Sequence, residues 1–146
     1  MKITKANYNK IIESCSTTLS ETGGIIGGKN NIVTVFEFDK GTASSSRNYY
    51  YPNIERLNAC IKYWQKEDIQ FYGIVHSHLQ EDEKELSNGD RQYINQIMLA
   101  MPKDIESLYF PLVLPNGEMV SFKALRLGNE MKIIKDVVKI IDGKEE

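Results

Sequence analysis

Residues 70–78 read Gln-Phe-Tyr-Gly-Ile-Val-His-Ser-His, and this stretch decides how the rest of the sequence is interpreted. Its aromatic and β-branched residues predict a buried strand. The strand ends in His76 and His78, the only two histidines of the chain. Because side chains alternate between the faces of a strand, both imidazoles are expected on one face, with Cα atoms about 6.6 Å apart. Two ring nitrogens at that spacing can converge on one metal ion.

A candidate third ligand, Asp90, follows in the segment Ser87-Asn88-Gly89-Asp90. This segment opens a predicted helix, so the carboxylate lies in its first turn. Ser87 with an acid three residues later is also the pattern of a helix cap, and both interpretations can hold for Ser87. Two histidines beside a loop are usually ordinary surface residues, but the combination with Asp90 favours a metal site. Three protein ligands leave one position open on zinc, as in catalytic sites.

The carboxylate of Glu21 lies far upstream, just before the glycines of the run 23–28. Gly23, Gly28 and Lys29 nearly match a phosphate-binding loop, but Asn30 stands where Ser or Thr would bind magnesium. Such a loop also follows a strand and opens a helix, whereas these glycines follow a predicted helix. Nucleotide binding is therefore not favoured, and the glycines indicate close packing of a strand against a helix.

Helices and hairpins are mixed along the chain, which indicates the α+β class. Amphipathic spacing predicts helices over 7–19, from Pro52 onward and from Ser87 to Met101. Their inward residues are expected to include Ile11, Ile12, Cys15 and Leu19, then Ile54, Leu57, Ile61 and Trp64, then Tyr93, Ile94, Ile97 and Met98.

Strand-like runs joined by turn residues predict two hairpins, 23–28 with 32–38 and 108–114 with 119–125. Residues 39–51 are expected to form a polar, Gly/Ser-rich loop, and residues 81–85 a charged, solvated loop. The tail from Met131 to Ile141 fits a helical face or a strand, and the helix is slightly favoured.

The bulk composition is that of an ordinary globular chain, and its 146 residues predict one domain over 1–146. The net charge of −2 gives no basic field for nucleic acid or an anionic membrane. Two cysteines, Cys15 and Cys60, without a Cys-x-x-Cys spacing fit a reducing, cytoplasmic location, and both are expected to be small buried hydrophobes. We also expect no signal peptide and no membrane span.

Taken together, Glu21-Thr-Gly-Gly, His76-Ser-His78 and Ser87-x-x-Asp90 resemble the JAMM motif of the JAB/MPN metalloprotease superfamily, and the phrase Gly73-Ile-Val-His-Ser-His is similar to its bacterial branch. The likeness implies a curved mixed β-sheet flanked by helices, similar to the cytidine-deaminase fold. It implies that His76, His78 and Asp90 bind Zn²⁺, that Glu21 is the general acid/base and that Ser87 stabilises the oxyanion.

Two features depart from the family pattern. Leu79 replaces the usual proline after the second histidine, and residues 79–89 place eleven residues, rather than the usual ten, before Asp90. An added loop residue is readily accommodated on a surface, so it puts the loop conformation in question more than the ligand set.

The resemblance implies hydrolysis of a peptide or isopeptide bond at the C-terminus of a ubiquitin-like or sulfur-carrier protein. Tyr49, Tyr50 and Tyr51 are candidate contacts for that tail, although ordinary half-buried tyrosines are the more common case. A non-catalytic MPN-type scaffold is the alternative, but scaffolds have usually lost ligands that this chain keeps. A DNA-processing role is a third class, against which the acidic balance argues.

Overall fold

The computed structural model describes residues 1–16, 20–42 and 50–141. Within them lie three helices and nine strands. In chain order they are β1 (Lys2–Thr4), α1 (Lys5–Cys15), β2 (Gly23–Lys29), β3 (Ile32–Asp39), α2 (Ile54–Lys66), β4 (Gln70–Ser77), α3 (Asn88–Ala100), β5 (Ser107–Tyr109), β6 (Leu112–Val113), β7 (Met119–Leu127), β8 (Glu130–Asp136) and β9 (Lys139–Ile141).

The nine strands form one mixed sheet in the order β5-β7-β6-β4-β2-β3-β1-β9, with β8 paired to β7 and β5 also paired to β4. Parallel pairs join β1 to β3 and β9 and join β4 to β5 and β6. The predicted α+β class is confirmed. Strand β4, which carries His76 and ends just before His78, is internal, because β2 and β6 pair with its two sides at the His76 end.

Two hydrophobic clusters lie on opposite faces of the sheet. Ile25 belongs to the cluster that receives α2 and α3, whereas Ile26 belongs to the cluster that receives α1. Neighbouring strand residues point to opposite faces, so one helix covers one face and two cover the other. The larger cluster holds Trp64 of α2 and Ile94 of α3, and it thereby fixes the position of α3 relative to the sheet.

Both predicted hairpins are present. Asn30 and Asn31 take positive φ angles of 55° and 62° and connect β2 to β3. Gly117, with φ 85°, forms the second turn, where its N–H donates to the Leu114 carbonyl at 3.0 Å. The predicted strand 108–114 is divided into β5 and β6 at Phe110-Pro111. Proline cannot donate to a ladder, which accounts for the break.

The predicted helix in the tail is wrong, since residues 131–141 belong to strands β8 and β9. A tight turn at Gly128, with φ 64°, returns the chain so that β8 pairs antiparallel with β7. Met131 and Ile133, two residues apart, then pack on the larger cluster. β-Branched residues are frequent in this segment and pack well on a pleated surface, so a strand is favoured over the helix that the apolar spacing also allows.

Helix α2 begins, and helix α3 begins and ends, within two residues of the predicted positions, whereas α1 ends at Cys15 rather than at position 19. Helix α1 starts earlier than expected, because the Thr4 hydroxyl caps it by accepting the Asn7 N–H. Ile54 is 61% exposed, so its assignment to the inward face of α2 is wrong. Leu19 and most of the predicted loop 39–51 lie outside the described residues. Among those described, none belongs to a helix long and apolar enough to cross a membrane.

Candidate metal centre

The end of β4 presents both histidines to one side. The His76 N–H donates to the Pro111 carbonyl at 3.1 Å, and the His78 N–H donates to the Val113 carbonyl at 3.0 Å. Extended pairing thus continues to His78, one residue past the end of the strand. The two imidazole centroids are 5.0 Å apart, at an interplanar angle of 74°. This geometry confirms the expectation that both side chains share a face.

The first turn of α3 brings Asp90 to the histidines. The Ser87 hydroxyl accepts the Asp90 N–H at 3.0 Å, and Asp90 Oδ2 accepts the Ser87 N–H at 2.9 Å, which is a complete capping box. The same Oδ2 lies 3.3 Å from His76 Nε2 and 3.1 Å from His78 Nε2. The carboxylate oxygen that takes part in the helix cap is therefore also the candidate metal ligand.

Two observations indicate that a metal ion fits among His76, His78 and Asp90. In a tetrahedral zinc site with bonds of about 2.0–2.1 Å, neighbouring ligand atoms lie about 3.3–3.4 Å apart. Both nitrogen-to-carboxylate distances are close to that separation. Moreover, His76 Nε2 is buried and has no hydrogen-bond partner among the described residues, so a polar atom is left that a metal would satisfy.

The loop after His78 fixes the orientation of that imidazole. His78 Nδ1 lies 2.9 Å from the Glu83 carbonyl oxygen. A carbonyl can only accept, so Nδ1 must carry the proton and Nε2 of the neutral ring offers a lone pair to a metal. The predicted solvated loop 81–85 is indeed exposed, yet its main chain supports the site. Buried Leu86 anchors the end of this loop in the larger cluster.

The three candidate ligands shift one another's protonation. Burial by itself raises the pKa of Asp90, but the close imidazoles of His76 and His78 and the Ser87 N–H hold that pKa well below its usual range. Burial works against a proton on His78, but its bonds to Asp90 and the Glu83 carbonyl raise the pKa of His78 above its ordinary value. The carboxylate thus stays ionised, as a metal ligand must be.

Glu21 lines the same cavity as this group and lies two residues before the start of β2. Its neighbour Thr22 makes two bonds to Ser77, the residue between the histidines: the Thr22 N–H donates to Ser77 Oγ at 3.0 Å, and the Ser77 N–H donates to the Thr22 carbonyl at 2.9 Å. Burial, opposed by His78 and reinforced by the Asp90 and Glu83 carboxylates, raises the pKa of Glu21 to about 7. Glu21 can therefore exchange a proton near neutral pH.

All five predicted site residues, Glu21, His76, His78, Ser87 and Asp90, line one cavity of about 950 Å³. Tyr50 and Tyr51 line it as well, whereas Tyr49 lies outside the described residues. The role of the Glu83 carbonyl was missed from the sequence, because a main-chain oxygen leaves no signal in residue type.

Comparison with known proteins shows the fold. No family model matches the chain, and no curated protein matches it. Among solved structures, protein DSY2949 from Desulfitobacterium hafniense is 15% identical, with a TM-score of 0.69 over 97% of this chain and 92% of that one. AF2198, a JAB1/MPN domain protein from Archaeoglobus fulgidus, is 15% identical, with a TM-score of 0.57 over 97% and 100%. A protein from Salinibacter ruber is 13% identical, with a TM-score of 0.56 over 99% and 94%. This chain has a JAB1/MPN-type fold.

Metal binding should raise the melting temperature. Zinc at a hundredfold excess over its dissociation constant stabilises by about 2.7 kcal/mol, or about 5–10 °C for a chain of this size. Asp90→Ala should lose this shift relative to its own metal-free baseline, whereas Glu81→Ala, an exposed loop carboxylate outside the cavity lining, should keep it. Differential scanning calorimetry measures both. The absence of a shift in the wild type, or a full shift in Asp90→Ala, would contradict the assignment.

The raised pKa of Glu21 predicts a pH-dependent stability in chelator. The Glu21 carboxyl binds its proton more tightly in the folded state than in the unfolded state. The stability that this proton contributes is fully present below pH 4.5 and is lost as the pH rises to about 7. Glu21→Gln cannot ionise and should melt above the wild type at pH 8. We expect a difference on the order of 2–4 °C, reduced by solvent screening, that narrows as the pH falls towards 4.5. A difference that is constant across this range would show that Glu21 titrates normally.

Proposed function

We propose that this protein is a zinc-dependent hydrolase that cleaves a peptide or isopeptide bond at the C-terminus of a ubiquitin-like or sulfur-carrier protein. The observation that carries the proposal is the convergence of three ligand atoms, His76 Nε2, His78 Nε2 and Asp90 Oδ2, in a cavity that Glu21 also lines. The JAB1/MPN-type fold adds support at the level of fold.

The donor set favours zinc in a catalytic role. Two neutral imidazoles and one carboxylate are characteristic zinc ligands, and three protein ligands leave a coordination position open to water or substrate. Zinc bound there supplies a Lewis acid for the scissile carbonyl and lowers the pKa of water towards neutrality. The protein holds the ligands rigidly through the β4 ladder, the α3 cap and the Glu83 carbonyl.

Glu21 is the proposed proton carrier. The leaving group is an amine, and a lysine amine has a pKa of about 10.4, so it must receive a proton to depart. A carboxyl group whose pKa is raised to about 7 accepts a proton and gives it up again near neutral pH. The Thr22–Ser77 bonds hold this group next to the histidines.

Ser87 is the proposed oxyanion donor. Its oxygen accepts the Asp90 N–H, and that bond leaves the hydroxyl proton available to donate. Since Ser87 lines the cavity, the hydroxyl can serve the cap and the reacting carbonyl at the same time. The capping role explains the position of the side chain, and the donor role is the proposal.

The substrate segment is expected to lie over the sheet. At His76 the strand β4 is paired on both sides, with Gly23 and with Leu112, so an incoming tail cannot add to β4 there. A flexible C-terminal tail can instead enter the cavity in extended form. The scaffold alternative requires no metal, and the complete ligand set argues against it. The net charge of −2 argues against a DNA substrate.

Cleavage should require both metal and Glu21. With fusions to ubiquitin-like or sulfur-carrier proteins as substrates, the wild type should give chelator-sensitive cleavage. Glu21→Gln should lose about 10²–10⁴-fold in rate while still binding zinc, and Ser87→Ala about 10²–10³-fold. Gel densitometry measures the cleavage rate and elemental analysis measures the zinc content, so a loss of catalysis is distinguished from a loss of metal. Full activity in Glu21→Gln would refute this mechanism, and Glu81→Gln serves as the matched control.

A further inference from the structure

One rung of the sheet joins the metal centre to a buried acid. Gly23 pairs with His76 of β4 on one side and with Asp39 of β3 on the other. Directly paired residues present their side chains to the same face, with strands about 4.8 Å apart. His76 and Asp39 therefore flank a position that has no side chain of its own.

The ring of Tyr50 occupies the space beside this glycine. A Cβ at Gly23 would lie 2.7 Å from Tyr50 Cε2 and 2.1 Å from the Val75 carbonyl oxygen, so any larger residue at position 23 would collide with both. The ring thus lies against Gly23, the residue that pairs with His76 in the sheet. Tyr50 and His76 both line the cavity, so the tyrosine whose ring lies against Gly23 belongs to the same site as that histidine.

Asp39 holds Tyr50 in this place. The Tyr50 hydroxyl donates to Asp39 Oδ2 at 2.7 Å, and the same oxygen accepts the Asn53 N–H at 2.9 Å. Arg56 Nη1 lies 3.5 Å from Asp39 Oδ1. Asp39 is 3% exposed, so these bonds are protected from water, and they tie Tyr50 to the end of β3 and the start of α2.

The phenol of Tyr50 is not suited to proton transfer. Burial and the adjacent Asp39 carboxylate raise its pKa far above the ordinary value, so the group stays neutral. Its hydroxyl is already bonded to Asp39. What remains for Tyr50 to offer a substrate is a rigid aromatic surface of fixed position.

We propose that Tyr50 is a specificity-determining residue and Asp39 its positioning residue: the ring limits the size of the substrate residue that lies beside His76, next to the scissile bond. The inference rests on the proposed hydrolase function and names the group that makes it selective for tails ending in small residues. Steric limits of this kind typically discriminate by about 10–200-fold per excess methylene.

The test uses short peptide amides with a fluorogenic aminocoumarin leaving group, in which the residue before the scissile bond is Gly, Ala, Val or Leu. The wild-type zinc enzyme should prefer Gly to Leu in kcat/KM. Tyr50→Ala should lower that preference about tenfold or more by admitting Leu, while Tyr50→Phe, which keeps the ring but loses the bond to Asp39, should lower it less. Asp39→Asn should shift the preference in the same direction as Tyr50→Ala, but less. Tyr63→Ala is the control and should leave the preference unchanged, because Tyr63 lies on α2, is 60% exposed and does not line the cavity.

A binding measurement removes the dependence on turnover. In the Glu21→Gln background, fluorescence anisotropy with the same peptide sequences should show weaker binding of Leu than of Gly, and adding Tyr50→Ala should reduce that gap. If Gly peptides are cleaved but Tyr50→Ala leaves both preference ratios unchanged, this inference is wrong and the proposed function stands. If the wild type cleaves no peptide and no fusion, the proposed function itself fails.

Discussion

The candidate site depends on one carboxylate oxygen, Asp90 Oδ2. It accepts the Ser87 N–H and thereby starts α3, and it lies within 3.3 Å of Nε2 of both His76 and His78. A partly buried carboxylate that faces two ring nitrogens is stabilised when a proton or a cation lies between them. The helix cap therefore fixes the ligand, and a bound cation would in turn stabilise the helix start. Metal binding at this site would therefore be coupled to the stability of the fold through this atom.

The sheet supplies the other half of the geometry. Because β2 and β4 are adjacent, the Thr22–Ser77 bonds bring Glu21, more than fifty residues upstream, to the histidines. Because Gly23 has no side chain, the same junction has room for the Tyr50 ring. One antiparallel strand pair thus brings Glu21 to candidate metal ligands that are distant from it in the sequence.

The parts of the site that follow a local rule could be predicted from the sequence. Strand alternation placed His76 and His78 on one face, and cap spacing placed Asp90 in a first helical turn. The Glu83 carbonyl escaped prediction, because a main-chain contact is independent of residue type. The segment of β8 and β9 was predicted as a helix, since its apolar residues fit a helical face as well as a strand. Only the pairing of these strands with β7 and β1 decides between helix and strand. The Asp39–Tyr50 bond likewise needs the tertiary structure.

The most direct test of the account is zinc K-edge X-ray absorption on the metal-loaded protein. The account predicts a four-coordinate site with nitrogen and oxygen ligands at about 2.0–2.1 Å and multiple-scattering features from two imidazoles. Removing one histidine should remove one of the two imidazole contributions. Sulfur ligands at about 2.3 Å, which would implicate Cys15 or Cys60, or a shell without imidazole, would contradict the assignment of His76, His78 and Asp90 as the metal centre.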